Sequence, residues 1–305
     1  MQRIGIAGSG RLGQALGRLL HDRGQPVAAI AGRDPRRTAS AAAFINKEVL
    51  PVSYSDLPSH AARVLVCVPD DALDEVARTL AAASQPISIA LHTCGSRGPE
   101  ALAALAARGA ACATLHPLQT ITTPGQGVAD LPGSSFGITG AASGGIPDST
   151  EAVAWALDIV RLLDGHALTI PAESRPLYHA AAVMASNYVV AMIDAAVILM
   201  ELAGLAKGED PKPALQALGP LVRASVENSL RLGPASALTG PIERGDERTI
   251  AAHLRALDNA PESVRQLYRQ AGLHAIEIVR RKNPATDRGK IESLLRTYVM
   301  RGTEP

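Results

Sequence analysis

Three groups of residues in this sequence have the types and spacing that proton transfer and the binding of a small anion require. The first is His116-Pro117-Leu118-Gln119-Thr120, a histidine that directly follows the apolar run 111–115. Imidazole titrates near neutrality, so a histidine at the end of a strand is suited to give or take a proton. The second is His179, Ser186 and Asn187, carried on a long helical tract. There Asn187, Asp194 and Glu201 recur every seven residues and share a face, while His179 shares a face with Ser186, about 80° of rotation away. The third is Thr239 to Asp246, in which Asp246 is placed to cap the next helix, and Arg244 and Thr239 to take a carboxylate. His92, followed by Thr93 and Ser96, is a lesser fourth. Read without function, the same groups are satisfied core polar residues and a capped turn.

Acid–base groups need a scaffold, and the N-terminus supplies one. The apolar residues 4–7 pass directly into Gly8-Ser9-Gly10-Arg11-Leu12-Gly13, after which apolar residues recur at helical spacing at Leu12, Ala15, Leu16, Leu19 and Leu20. That is strand, glycine turn, helix. In a dinucleotide site Gly8 makes the tight turn, Gly10 lets the backbone approach a pyrophosphate, and Gly13 lets helix and strand pack closely. The phosphates then sit on the helix N-terminus. A second strand over 26–31 ends in Gly32-Arg33-Asp34-Pro35-Arg36-Arg37. About twenty positions past the glycines an acidic residue suits a ribose hydroxyl and an arginine a 2′-phosphate. Arg33 stands there, so the expected cofactor is NADP rather than NAD.

The next tract alternates as a doubly wound parallel sheet requires, with strands over 62–68, 87–92 and 111–115 and helices over 70–83 and 99–108. Ligands of such sheets lie beyond the strands' C-terminal ends, which puts Val68, Pro69, His92 and His116 on the cofactor side. Residues 117–132, rich in Pro, Gly and Thr, read as a loop at a strand end and a candidate lid or substrate loop. Strands over 134–141 and 167–170 around a helix over 149–163 complete an expected sheet domain, 1–171. From residue 175 the pattern is helical: one long helix over 176–205, then helices over 210–232, 246–257, 261–281 and 287–298. The expected second domain, 172–305, is all-helical.

Composition narrows the partners. The 305 residues are 47% hydrophobic but only 3% aromatic, so two cores must be built from Ala, Leu, Val and Ile. A formal charge of +1 gives no electrostatic case for nucleic acid or an anionic membrane, which leaves small molecules. Cys67, Cys94 and Cys112 fit neither a disulfide framework nor a metal pair, and no leader pattern precedes the first strand, so a cytoplasmic protein without a metal site is expected. The most apolar run, 188–206, carries Asp194 and Glu201 and reads as a buried helix rather than a membrane span. So apolar a helix outruns the cover the remaining helices can give, which predicts a homodimer built on the second domain.

The combination of GSGRLG, AGRDP, CVPDDAL, LHTCGSRG, LHPLQT, RPLYHAAAVMASNY and ALTGPIERGD resembles a bacterial family of NADP-dependent oxidoreductases with a Rossmann-like domain and a helical C-terminal domain. Its architecture is similar to that of ketopantoate reductases, pyrroline-5-carboxylate reductases and other 6-phosphogluconate-dehydrogenase-like enzymes. The resemblance implies reduction of a small 2-keto acid such as 2-dehydropantoate. Ketopantoate reductases carry lysine and asparagine on the first long helix of the second domain. Matching that asparagine to Asn187 puts His179 where the lysine stands, so the resemblance implies His179 as the acid, with Asn187 orienting the substrate, His116 shaping the pocket and Ser186, Thr239, Arg244 and Asp246 about it. His116-Pro117-Leu118 resembles the His-Pro-Met of prephenate and arogenate dehydrogenases. An imine reductase, a prephenate-dehydrogenase-like enzyme and a non-catalytic NADP-binding sensor remain the alternatives.

Overall fold

The computed structural model describes residues 2–140, 149–205 and 210–297. The chain divides into two compact units, Met1–Met184 and Ala185–Pro305.

The first unit is organised by six parallel strands: β1 (Ile4–Ala7), β2 (Val27–Ala31), β3 (Leu50–Val52), β4 (Arg63–Val66), β5 (Ile89–His92) and β6 (Ala111–Thr114). They lie in the order β3-β2-β1-β4-β5-β6, so the winding reverses between β1 and β4. Such a reversal opens a crevice at the C-terminal ends of those two strands. The strands are apolar on both sides because both faces are covered. Ile4, Ile6 and Leu65 point into one cluster, and Ala7, Val64 and Val66 into the other. Helices α1 (Arg11–Asp22) and α2 (Pro35–Ile45) cover the first face, and α3 (Leu73–Ala81) and α4 (Ala103–Ala106) the second. Each fully buried Leu or Ile is worth roughly 2 kcal/mol relative to exposure, so the crevice stands on a rigid base.

Three features of this unit differ from the sequence expectation. The edge strand β3 has no counterpart in it, because Leu50-Pro51-Val52 is too short, too exposed and too proline-broken to carry a period-two signal. Residues 117–132 are not a free lid. They include α5 (Pro124–Asp130), started by the Thr123 hydroxyl accepting from the Gln126 N–H at 3.1 Å. A Cβ on Gly127 would come within 2.7 Å of Ala15, so α5 lies tight against α1. The strands after β6 do not extend the parallel sheet. β7 (His116–Pro117), β8 (Ser135–Ile138) and β9 (His166–Thr169), with α6 (Thr150–Leu162) between the last two, make a second sheet in the order β7-β8-β9. The chain doubles back after Pro117, which makes β8 antiparallel to β7 and parallel to β9.

The first unit also runs past the boundary expected at residue 171, because α7 (Arg175–Ala185) is anchored to the sheet ends by its first turns. Nor is 176–205 a single helix. Ser186, at φ −122° and ψ −75°, interrupts it before α8 (Asn187–Leu202).

In the second unit every described element is a helix: α8, α9 (Lys212–Leu232), α10 (Pro234–Ala237), α11 (Pro241–Arg244), α12 (Glu247–Ala256), α13 (Glu262–Lys282) and α14 (Gly289–Thr297). Ile250, Leu254, Ile276, Ile291 and Leu295 form its largest core. The expectation that α8 is buried fails: Val197 is its one buried residue, and Tyr188, Val190 and Met192 are exposed. By length and composition alone Ala172–Leu202 is apolar enough to cross a membrane, but Arg175 within it is sunk in the first unit at 2% exposure. The ends expected at residues 141, 206 and 298 lie outside the described residues.

Candidate active site

The glycine turn has the geometry that its residue types imply. Gly8 sits at φ +125°, and a Cβ there would strike the Cys67 carbonyl. A Cβ on Gly13 would strike the carbonyl of Gly8, so this glycine is what brings α1 down onto the turn. Gly10 faces open space, with nothing within 4 Å of where its Cβ would be. No side chain caps α1, whose first helical bond is Gln14 N–H to the Gly10 carbonyl at 3.0 Å. The amides of Arg11, Leu12 and Gly13 are therefore presented to any anion above the turn. Ser9 lies beside Gly32, where an added Cβ would meet its hydroxyl. Arg33 is exposed at the end of β2, and the Asp34 carboxylate takes the N–H groups of Arg36 and Arg37 at 2.8 and 3.1 Å. Asp34 thus starts α2, and Arg36 and Arg37 in its first turn are exposed like Arg33. Val68 and Pro69 follow β4, across the point of reversal.

Farther along the same edge, α7 meets the ends of β5 and β6. Arg175, Tyr178 and His179 occupy positions i, i+3 and i+4, one helical face. His116 Nδ1 lies 2.8 Å from the Tyr178 hydroxyl, and the rings of His116 and His179 are 5.8 Å apart, edge to face. Gly95 fills the gap between the two histidines: a Cβ there would come within 2.6 Å of His116 Nε2 and would also strike His179. Among the described residues Nε2 has no protein partner. Burial first, and then the nearby charges of His179 and Arg175, pushes the His116 ring down to about 4, so it is neutral at pH 7.

Arg175 holds this arrangement together. Its guanidinium donates to the carbonyls of Gly95 (3.1 Å) and Cys94 (3.4 Å), to the Thr114 hydroxyl (2.6 Å) and to the Thr139 hydroxyl, while Nε has no partner among the described residues. The Thr139 hydroxyl donates in turn to the Ile170 carbonyl at 2.8 Å. One side chain thereby ties the loop after β5 to β6 and to the end of β8. Burial lowers its pKa, yet a guanidinium starts so high that the cation persists.

The loop after β5 is fixed from within. His92 is fully buried, its Nε2 donating to the Gly98 carbonyl at 2.8 Å and its Nδ1 accepting from the Cys94 N–H at 3.2 Å. Both ring nitrogens are spent on the loop, so the expectation that this side chain faces a cofactor gives way to a structural role. Arg97 forks onto Asp74 of α3 at 2.8 Å twice, and Ser96 donates to Asp70 at 2.7 Å. For Asp70, burial works against ionisation, but the hydrogen bonds from Cys94 and Ser96 and the charge of His179 outweigh it and lower its pKa.

Of the remaining expected residues, Asn187 is exposed, its carboxamide oxygen accepting from the Ser186 hydroxyl at 2.8 Å, and Thr239 and Arg244 are exposed. Asp246 caps α12, accepting from the Thr249 N–H at 3.1 Å and its hydroxyl at 2.6 Å. Its carboxylate is occupied by the helix, so its expected place at a substrate gives way to a capping role. These residues belong to the second unit, whereas His116 and His179 belong to the first. Sequence reading singled out His179 in RPLYHAAAVMASNY and passed over Arg175 and Tyr178, although their i, i+3, i+4 spacing was the signal that could have found them.

A Rossmann-like domain model matches residues 1–117, and a model described as a domain of unknown function, DUF2520, matches residues 144–275. The chain joins a Rossmann-like domain to a DUF2520 domain. Among solved structures, a Bacteroides fragilis protein described as a candidate NADP oxidoreductase is 24% identical, with a TM-score of 0.71 over 90% of this chain and 98% of its own. A reductive aminase of Aspergillus terreus, solved with NADPH and ethyl levulinate, is 19% identical, with a TM-score of 0.61 over 97% and 98%. A pyrroline carboxylate reductase of Plasmodium falciparum with NADP bound is 14% identical, with a TM-score of 0.55 over 93% and 97%. These likenesses extend the fold assignment across both domains. No curated protein sequence matches the chain.

Proposed function

We propose that this protein is an NADPH-dependent oxidoreductase of small molecules, reducing a 2-keto acid such as 2-dehydropantoate in the cytoplasm. The observation that carries the reading is His116: a neutral imidazole whose Nδ1 is engaged by Tyr178 while Nε2 is left to a substrate, on the sheet edge that also bears the glycine turn. The turn fits the cofactor. Gly10 leaves open space for a pyrophosphate, the uncapped start of α1 supplies amides for it, and Arg33, with Arg36 and Arg37 beside it, suits a 2′-phosphate. When bound, NADPH supplies the hydride. The protein's own task is to give the substrate oxygen a proton, and the reading assigns that to His116 rather than to His179, because a ring held at one nitrogen presents the other in a fixed direction. His179, across Gly95, then forms the facing wall and supports the Asp70 carboxylate.

Loss of absorbance at 340 nm on mixing the protein, NADPH and a panel of 2-keto acids tests the reading. Turnover of a keto acid is expected, and binding of NADPH without turnover of any carbonyl or imine would reduce the protein to a sensor. Imine reduction is the second reading. It draws on Asp70, whose carboxylate is kept ionised beside His179 and would suit a cationic iminium, and on the presence of a reductive aminase and a pyrroline carboxylate reductase among the structures of similar fold.

The reading includes a homodimer built on the second unit. Tyr188, Val190 and Met192 on α8, and Leu221 and Leu230 on α9, are exposed apolar side chains that a second copy would cover. Light scattering at micromolar concentration is expected to give twice the chain mass, and a monomer would refute it.

A further inference from the structure

A neutral histidine is a weak acid by itself, because losing its ring hydrogen leaves an imidazolate. The packing behind His116 removes that obstacle. Tyr178 lays its hydroxyl against Gly137 of β8, where any Cβ would collide with it. The Gly137 backbone, this close to the phenol oxygen, favours its anion. A phenol has one hydrogen to donate, and the acceptor within reach is His116 Nδ1 at 2.8 Å. With the phenol as donor, Nδ1 accepts and the ring's own hydrogen sits on Nε2, the nitrogen beside Gly95.

We propose that Tyr178 is a positioning residue that locks His116 in the Nε2–H tautomer and resupplies the ring with a proton when Nε2 donates to the substrate. This rests on the reductase reading above. As hydride from the reduced cofactor forms a C–H bond at the carbonyl carbon, its bond to the donor breaking, the C–O π pair moves onto oxygen, which takes the Nε2 proton. The Nε2–H bond breaks, the phenol O–H bond breaks, and Nδ1–H forms, so the imidazole stays neutral and the charge rests on the phenolate. The Arg175 cation and the Gly137 backbone favour that anion until solvent reprotonates it. Between turnovers burial outweighs those two influences and keeps the phenol protonated at pH 7.

Long-range ¹H–¹⁵N spectra of the labelled full chain without cofactor read the tautomer directly, with His116 assigned by its loss in His116→Gln. The parent is expected to show a protonated Nε2 and an unprotonated Nδ1 at pH 7. Tyr178→Phe is expected to convert this to a mixture of tautomers and to lower kcat by about tenfold or more, with NADPH affinity unchanged. An Nδ1–H tautomer in the parent overturns the proposal, and so does an unchanged tautomer and kcat in Tyr178→Phe. If Tyr178→Phe does not fold, the parent spectrum still decides the lock, and the solvent isotope effect on parent turnover decides the relay: two protons in flight are expected, and one overturns it. A parent with the Nε2–H tautomer but no reductase activity would uphold the lock while overturning the relay and the reductase reading with it.

Discussion

Replacing Arg175 by methionine removes the guanidinium while keeping the length of the stem. At 2% exposure the site gives water little chance to substitute for the lost donors. The Gly95 carbonyl loses its 3.1 Å bond, which costs about 1–3 kcal/mol for a buried acceptor left unpaired. The two threonine hydroxyls keep other partners: Thr114 accepts from the Thr139 N–H at 2.9 Å, and Thr139 donates to Ile170. Their charge-assisted bonds are worth about 1.5–3 kcal/mol each in principle, but roughly half of that is returned because an unpaired cation no longer has to be desolvated. The net expectation is a loss of about 3 kcal/mol, which for a unit of this size lowers Tm by roughly 6–12 °C. Differential scanning fluorimetry against the parent measures it, and urea unfolding checks the free energy. Arg175→Lys, with one point charge in place of a fork, should lose an intermediate amount. A Tm within about 2 °C of the parent for Arg175→Met would show that the three strand ends do not depend on this residue, and would refute the reasoning.

Arg33→Asp should abolish a preference for NADPH over NADH that is about tenfold or more in the parent, measured by calorimetry, and equal affinities in the parent would remove the 2′-phosphate assignment. His116→Ala should lower kcat by about 100-fold with NADPH affinity retained, while His179→Ala chiefly raises KM; steady-state kinetics showing the reverse would return the proton to His179. His92 is held near 4 by burial against an ordinary value of 6.5, so the unfolded chain binds the extra proton between those limits and stability must fall as pH drops through that window. The loss is on the order of 3 kcal/mol by pH 4, and a urea midpoint that does not move between pH 7 and pH 4.5 would contradict it.

Local pattern alone determined the glycine turn, the strands around it and the long helices of the second unit from α9 onward. Each depends on residues adjacent in the chain: apolar periodicity, Gly8 and Gly13 at their fixed offsets, Asp246 before a helix. The position of Arg33 likewise follows from counting, since a strand and a turn set its distance from the glycines. Tertiary structure decided everything that joins distant segments. Nothing local in Gly95 says that two histidines close over it, nothing in Gly137 that a phenol rests there, and nothing in His92 that its own loop consumes both nitrogens. Ser186 breaks a helix that periodicity alone would continue, and Arg175 carries the first unit beyond its expected end because its partners, Gly95, Thr114 and Thr139, lie 80, 61 and 36 residues away. A side chain's job at that range is set by which backbone it meets, and propensity, which acts over a few residues, carries no record of that meeting.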